Sequence, residues 1–481
     1  MTLPRAATGR ELTADVLVVG AGVVGAAIAR TLAAYELSVI VADAAPDVGT
    51  GTSKANTAIL HTGFDAKPGT LESRLLARGS GLLRSYAAAA GIAVERTGAL
   101  LVAWTPEQEA ALPGIAENAR RNGYAAIRPV RASDLYAREP ALGPGARGAL
   151  EIPDESIICP WTTPLAFATE AVRAGVRLLL SAEVTGVVPL DGGYHGVTTS
   201  RGTVRARWVV NAAGLGSDVV DRMFGGDGFT IRPRRGELIV FDKLARPLLN
   251  AIVLPVPTAR TKGVLVAPTV YGNVLLGPTA QDITSREDTA TTADGLAALR
   301  TAGHRILPGL AAQEITSTYA GLRAATEHAD YQVYVDGSQR YACAGGIRST
   351  GLSASLGIAE YLAAEMEQAG LALRPRTGAE PRAGLGAGLG AGAGPPVMPY
   401  IGEEGLRPYQ DADRIKADPA YGEIVCHCER VTRGEIRDAL ASPVPATDLG
   451  GLRRRTRAGN GRCQGFYCGA RVAALLAARP C

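Results

Sequence analysis

The chain has 481 residues, more than one hydrophobic core commonly serves, so a division into two or three domains is expected. Its 47% apolar and 20% charged residues are an ordinary globular composition, which excludes a chain that is disordered as a whole. A formal net charge of +4 is small for this length and gives no basis for nucleic-acid binding or for wholesale attraction to membranes.

The first element is ADVLVVGAGVVGAAIARTLAAYELSVIVAD, residues 14–43. Its apolar run at 16–29 has the look of a secretory core. Asp15 lies just upstream, however, three glycines recur inside the run, and Arg30 ends it before bilayer-spanning length. An odd cysteine count of 7 also speaks against a disulfide framework, so a cytoplasmic setting is expected.

The same run reads as strand, tight turn, helix and second strand. Gly20, Gly22 and Gly25 form G-x-G-x-x-G: the first permits the turn, the second lets backbone approach a pyrophosphate, and the third lets the helix pack on the strand. Asp43, eighteen residues past Gly25, ends the second strand where a carboxylate can bond a ribose hydroxyl. The pattern predicts a dinucleotide site; an αβ unit without a nucleotide is the alternative.

The polar, glycine-rich PDVGTGTSKANTAILHTGFDA (46–66) that follows is not simply the next helix of a compact NAD domain. Alternating strands and amphipathic helices are expected over 75–150 and 225–310. AEVTGV (182–187) and RWVVNAAGLGSD (207–218), a buried strand ending at Gly214, look like segments returning to the first domain. A second glycine-bearing strand-to-helix junction stands at RYACAGGIRSTGLSASLGIAEYLAAEM (340–366). A flavin is long enough to use both ends, a pyrophosphate cradle and a helix N-terminus that stabilises negative charge on the reduced ring.

Residues 374–399, RPRTGAEPRAGLGAGLGAGAGPPVMP, are dominated by Gly, Ala and Pro and predict a flexible linker. Beyond it come CHCERVTRGEIRDAL (426–440) and GRCQGFYC (461–468), which hold Cys426, Cys428, Cys463 and Cys468. Four thiolates can hold zinc or an iron–sulfur cluster. C-x-C is tight for a tetrahedral mononuclear site, so a [2Fe–2S] cluster is favoured over zinc, and a flavin upstream favours it further as a one-electron outlet. Thr432 and Glu435 predict a capping box and a helix after the first cysteine pair, and ARVAALLAA predicts a second helix after Cys468. Between the pairs, Arg453, Arg454, Arg455, Arg457 and Arg462 stand without an acid. They are a solvated loop, charge compensation for the cluster, or a docking face for an acidic acceptor. Cys159 and Cys343 read as buried small side chains and Cys481 as a free terminal one.

GTSKANTAILHTGFDA, RRGELIVFDK (234–243), KGVLVAPTVYGNVLLGPTA (262–280), AGLRA (320–324) and GIRSTGLSAS (346–355) resemble the FAD-dependent oxidoreductases built like D-amino-acid oxidase. Within them they are most similar to the large subunits of anaerobic glycerol-3-phosphate dehydrogenase. The tail resembles the [2Fe–2S] domain of bacterioferritin-associated ferredoxin. The resemblance implies an α/β fold: a Rossmann-like FAD-binding domain (parts 14–75, 150–225, 310–370) interleaved with an α+β substrate domain (76–149, 226–309). Together they make a module over 1–373, followed by the linker 374–399 and a small helical iron–sulfur domain over 400–481.

By the same resemblance, FAD contacts fall on Thr52, Ser53, Asn56, Val184, Gly214, Gly346, Gly351 and Leu352, besides the glycine motif and Asp43. Arg323 is implied as the anchor of an anionic substrate, with an exposed salt-bridged arginine as the plain alternative. His61 is implied as a base or a ring contact, Arg348 as a charge at the flavin-facing turn, and Lys262 as a further cation. The implied activity is dehydrogenation of a small anionic metabolite, foremost glycerol 3-phosphate. Electrons would then pass through the cluster to a partner protein or a quinone-linked complex, peripheral to the inner face of the membrane. An amine, imino-acid or 2-hydroxy-acid dehydrogenase, and a non-enzymatic iron or redox protein, are the alternatives.

Overall fold

The computed structural model describes residues 12–257, 263–377 and 394–478. Lys262, Cys481 and residues 378–393 of the expected linker lie outside them.

Strand Leu12–Val19 is buried throughout its second half, as its unbroken Val–Leu–Val–Val run requires of a strand covered on both faces. It takes parallel partners on either side, Val39–Ala42 and Gly202–Asn211. The parallel order continues to Arg177–Leu179 beyond one and to Tyr341–Gly345 beyond the other. Antiparallel strands Val184–Leu190, Tyr194–Thr199 and Gln332–Asp336 complete a sheet of eight strands among the described residues. Helix Val23–Leu32 packs against Thr162–Arg173 and Gly351–Gln368 on one face of this sheet.

A second, mostly antiparallel sheet has nine strands among the described residues and is built on the long pair Arg232–Phe241 and Ile315–Ala325. Val102, Ile239, Phe241, Val266, Leu276 and Leu299 belong to its own core. The mixed α/β architecture is the one expected. Strand Ile315–Ala325, expected with the FAD-binding part, pairs along its length with Arg232–Phe241 and so belongs to the second sheet.

The tail has its own small core, in which Val425, Val431, Ile436, Leu452 and Val472 surround Cys426 and Cys468. Helix Arg433–Ala441 opens on the expected capping box, with Glu435 N donating to Thr432 Oγ1 at 3.2 Å and Thr432 N donating to Glu435 at 2.9 Å. Helix Gly469–Ala477 follows Cys468. The arginine run is not a solvated loop. Leu449–Thr456 is a helix capped by Asp448, and its Arg454 and Arg455 pair with Asp47 of the first domain.

The ends of the Gly/Ala/Pro stretch are held as well: Arg376 N donates to Ala34 O at 2.9 Å and Met398 N to Ala90 O at 2.8 Å. Among the described residues no helix is long and apolar enough to cross a membrane.

Candidate active site

A cavity of about 650 Å³ runs from the glycine turn to the second sheet, within the range that cofactor and ligand pockets occupy. At its inner end Gly20 has φ +105°, and a Cβ there would stand 2.4 Å from Ala212 O. A Cβ on Gly25 would stand 1.9 Å from Gly20 O, so the helix comes this close to the turn only because residue 25 is glycine. Gly22 caps the helix without a side chain, which leaves backbone facing the cavity. Asp43 lies in the same wall. Burial pushes its carboxyl up, against the lowering effect of the N–H groups of Ala21 and Ala45. This cradle fits a pyrophosphate and ribose.

Thr52, Ser53, Asn56, Gly214, Gly346, Gly351 and Leu352 also line the cavity. Three of these side chains are occupied in building their loop. Ser53 Oγ accepts Val23 N–H at 2.9 Å, Thr52 Oγ1 donates to Leu322 O at 2.7 Å, and Asn56 Nδ2 donates to Ser53 O at 2.8 Å. Gly25 and Val184 stand outside the wall, the first packing helix on strand and the second opening an outer strand.

At the other end stand His61, Arg323, Arg348 and Arg234. His61 N–H donates to Ser353 Oγ at 2.9 Å, in the first turn of helix Gly351–Gln368. Its Nδ1 lies 2.9 Å from Glu155 Oε2; Glu155 is fully buried and also accepts from Thr62 N and Oγ1. A carboxylate only accepts, so the ring presents N–H at Nδ1, and when neutral it carries its lone pair at Nε2.

Arg323 and Arg234 are direct cross-strand partners. Arg234 is held by Asp282 through bonds of 2.6 and 3.1 Å, whereas Arg323, among the described residues, bonds only the Thr279 carbonyl, at 3.4 Å. Burial, and next the charge of Arg234, bring Arg323 down to about 10. A guanidinium so desolvated and facing a cavity calls for an anion. The plain alternative of an exposed, salt-bridged arginine does not hold. Arg348 donates to Ala329 O and lies 3.8 Å from Glu72. Glu155 and Arg234 went unassigned in the sequence. Only the RRG of 234–236 offered a signal for the second, and nothing local marks the first.

In the tail the four cysteine thiols meet as two pairs, Cys426 with Cys468 and Cys428 with Cys463. Among the described residues no three His, Cys, Asp or Glu side chains are placed to share one metal ion, whereas two pairs are the layout two irons need. The N–H groups of Tyr467, Gly465 and Phe466 lower Cys463, while burial raises Cys428 and pushes Cys468 up to about 11. Gly459 N–H donates to Cys426 Sγ at 3.4 Å. Such donors suit anionic sulfur ligands. Cys159 and Cys343 are buried, as expected.

The FAD dependent oxidoreductase family matches residues 15–365, and the BFD-like [2Fe-2S] binding domain matches residues 424–478. A glycerol 3-phosphate dehydrogenase of Caloramator mitchellensis is 33% identical over 96% of this chain and 94% of its own. An anaerobic glycerol-3-phosphate dehydrogenase subunit of Escherichia coli K12 is 27% identical over 96% of this chain and 88% of its own. Among solved structures, dithionite-reduced L-alpha-glycerophosphate oxidase of Mycoplasma pneumoniae with FAD bound superposes with TM-score 0.71 at 26% identity. It covers 76% of this chain and 96% of its own.

Proposed function

Because the chain belongs to the family of FAD-dependent oxidoreductases, we propose that it dehydrogenates glycerol 3-phosphate to dihydroxyacetone phosphate and passes the electrons through its C-terminal cluster to a partner. FAD and a [2Fe–2S] cluster are its cofactors. Bound FAD supplies a two-electron hydride acceptor and the cluster a one-electron acceptor.

The residues of the cavity supply the rest. Arg323 binds the phosphate, whose dianion replaces the missing counter-ion of this half-buried guanidinium; Arg234 adds positive charge from the next strand. The alcohol proton goes to His61 Nε2 as the carbon–hydrogen bond breaks, and Glu155 holds the ring in the tautomer that can take it. Arg348 keeps one edge of the wall positive.

The observation that carries this reading is the half-buried, desolvated Arg323, without a carboxylate partner among the described residues and lining the same cavity as His61, whose ring Glu155 holds. An anaerobic titration of the purified holoenzyme tests it. Glycerol 3-phosphate should bleach the flavin at once, whereas glycerol, 2-hydroxyglutarate, glycine and proline should not. Arg323→Met should raise KM for glycerol 3-phosphate by about tenfold to a hundredfold, the worth of one charge-assisted contact. Bleaching by an amino acid but not by the phosphate ester would overturn the substrate assignment.

That a relative is named as a subunit supports an electron-accepting partner protein for this chain too.

A further inference from the structure

The tail touches the flavoprotein through ion pairs and, at one place, through a line of stacked rings. Thr52 and Ser53 line the cavity, and the carbonyl of Lys54, next in the chain, accepts the indole N–H of Trp161 at 3.0 Å. Trp161 stacks on Tyr271, with ring centroids 4.9 Å apart and planes 17° from parallel. The guanidinium of Arg457, from the tail, lies over the Tyr271 ring, 4.1 Å from its centroid. Tyr271 is 7% exposed and Arg457 2%, so water does not enter between them. Arg457 is otherwise held by Glu429, and its Nη1 has no hydrogen-bond partner among the described residues, which leaves the ring as its main contact on that side. Two residues further on, Gly459 N–H bonds the Sγ of Cys426.

We propose that Trp161, Tyr271 and Arg457 form the contact path by which electrons cross from the flavin cavity to Cys426. The path rests on the relay reading above, though not on the identity of the substrate. Electron tunnelling falls off faster across a gap than through packed atoms, and this line of stacking and hydrogen bonds is continuous. The rings are a medium rather than carriers. Burial raises the Tyr271 hydroxyl well above the ordinary phenol range, with the adjacent Cys159 adding to it, so the ring stays a neutral phenol.

Each passage moves one electron. The reduced flavin loses it and one ferric iron becomes ferrous. An external one-electron oxidant, ferricyanide in vitro, then takes it from the iron before the second follows. The flavin proton leaves to water once both electrons have gone.

The test uses the holoenzyme without substrate. The flavin is reduced by light with a sacrificial amine donor, and cluster reduction is followed by its paramagnetic signal in freeze-quenched samples. Tyr271→Leu and Trp161→Leu should each slow cluster reduction by about tenfold, since each removes one ring of packed path. Tyr271→Phe, which keeps the ring, should match the unaltered protein. Iron, sulfide and FAD contents and both midpoint potentials should stay unchanged in all three. If Tyr271→Leu fails to load its cluster, Trp161→Leu, at a half-buried site, decides alone. Unchanged rates in the leucine variants overturn the path and leave the relay standing. A flavin that never reduces the cluster in the unaltered protein overturns both.

Discussion

Glu155 is fully buried, and its carboxylate serves two consecutive residues, with one hydrogen bond to His61 and two to Thr62. A buried carboxylate with that set of partners is an orienting group, because those same bonds are what offsets its desolvation. His61→Gln should lower the rate of flavin reduction by substrate by about a hundredfold to ten-thousandfold, the range for loss of a positioned base. Glu155→Gln keeps the shape and one acceptor but turns a donor toward the ring. It should lower the same rate by a smaller factor, about tenfold to a hundredfold, with KM little changed. Stopped-flow bleaching of the flavin, alongside an unaltered FAD content, checks both. If Glu155→Gln instead raises KM and leaves the bleaching rate alone, the carboxylate shapes the binding wall and does not orient a base.

Helix Leu449–Thr456 shows how one element ties two domains together. Its Arg455 donates to both oxygens of Asp47 at 2.8 Å, and Arg454 adds a third bond. Burial by itself would raise Asp47, but the bonds and charges of Arg455 and Arg454 outweigh it and hold the carboxyl below its ordinary 3.8. For an acid whose folded value is depressed, the stabilisation is present above the ordinary value and disappears as pH falls through the lower one. Protection of this helix in hydrogen exchange should therefore drop as pH falls below about 4, and Asp47→Asn should remove that dependence. The same variant leaves Arg455 buried without its charge partner and should cost about 3 kcal/mol in tail docking. The glycine turn with Asp43 and the Thr432–Glu435 capping box were legible in the sequence because each is set by residues a few positions or one αβ unit apart. The clamp was not. Its acid stands some four hundred positions before its arginines, so a local reading sees five arginines and no counter-charge and expects solvent. Glu155 was hidden for the same reason, lying 94 positions from His61 in an unremarkable ESII.

Across the whole molecule, the tail is less separate than a Gly/Ala/Pro stretch before it suggests. Lys243 bonds Glu403 at 2.5 Å and Glu429 at 3.2 Å, and Arg462 bonds Asp242 at 2.8 Å. Thr447 Oγ1 donates to Pro46 O at 2.9 Å, and Arg457 packs on Tyr271. All of these contacts are made by protein groups on both sides, and none is made by one of the four tail cysteines. Loss of the cluster should therefore loosen the tail core around Cys426 and Cys468 without emptying the flavin cavity, whose walls come from residues before the tail. Cys463→Ser separates the two functions. It should retain FAD and be bleached by glycerol 3-phosphate at the unaltered rate, yet carry no acid-labile sulfide. Electron delivery to a one-electron protein acceptor should fall to background, while a small two-electron dye that reaches the flavin directly should still be reduced. Loss of FAD together with the cluster would mean that the seam at Asp47, Lys243 and Tyr271 holds the flavoprotein itself together, so that the two parts fold as one cooperative unit.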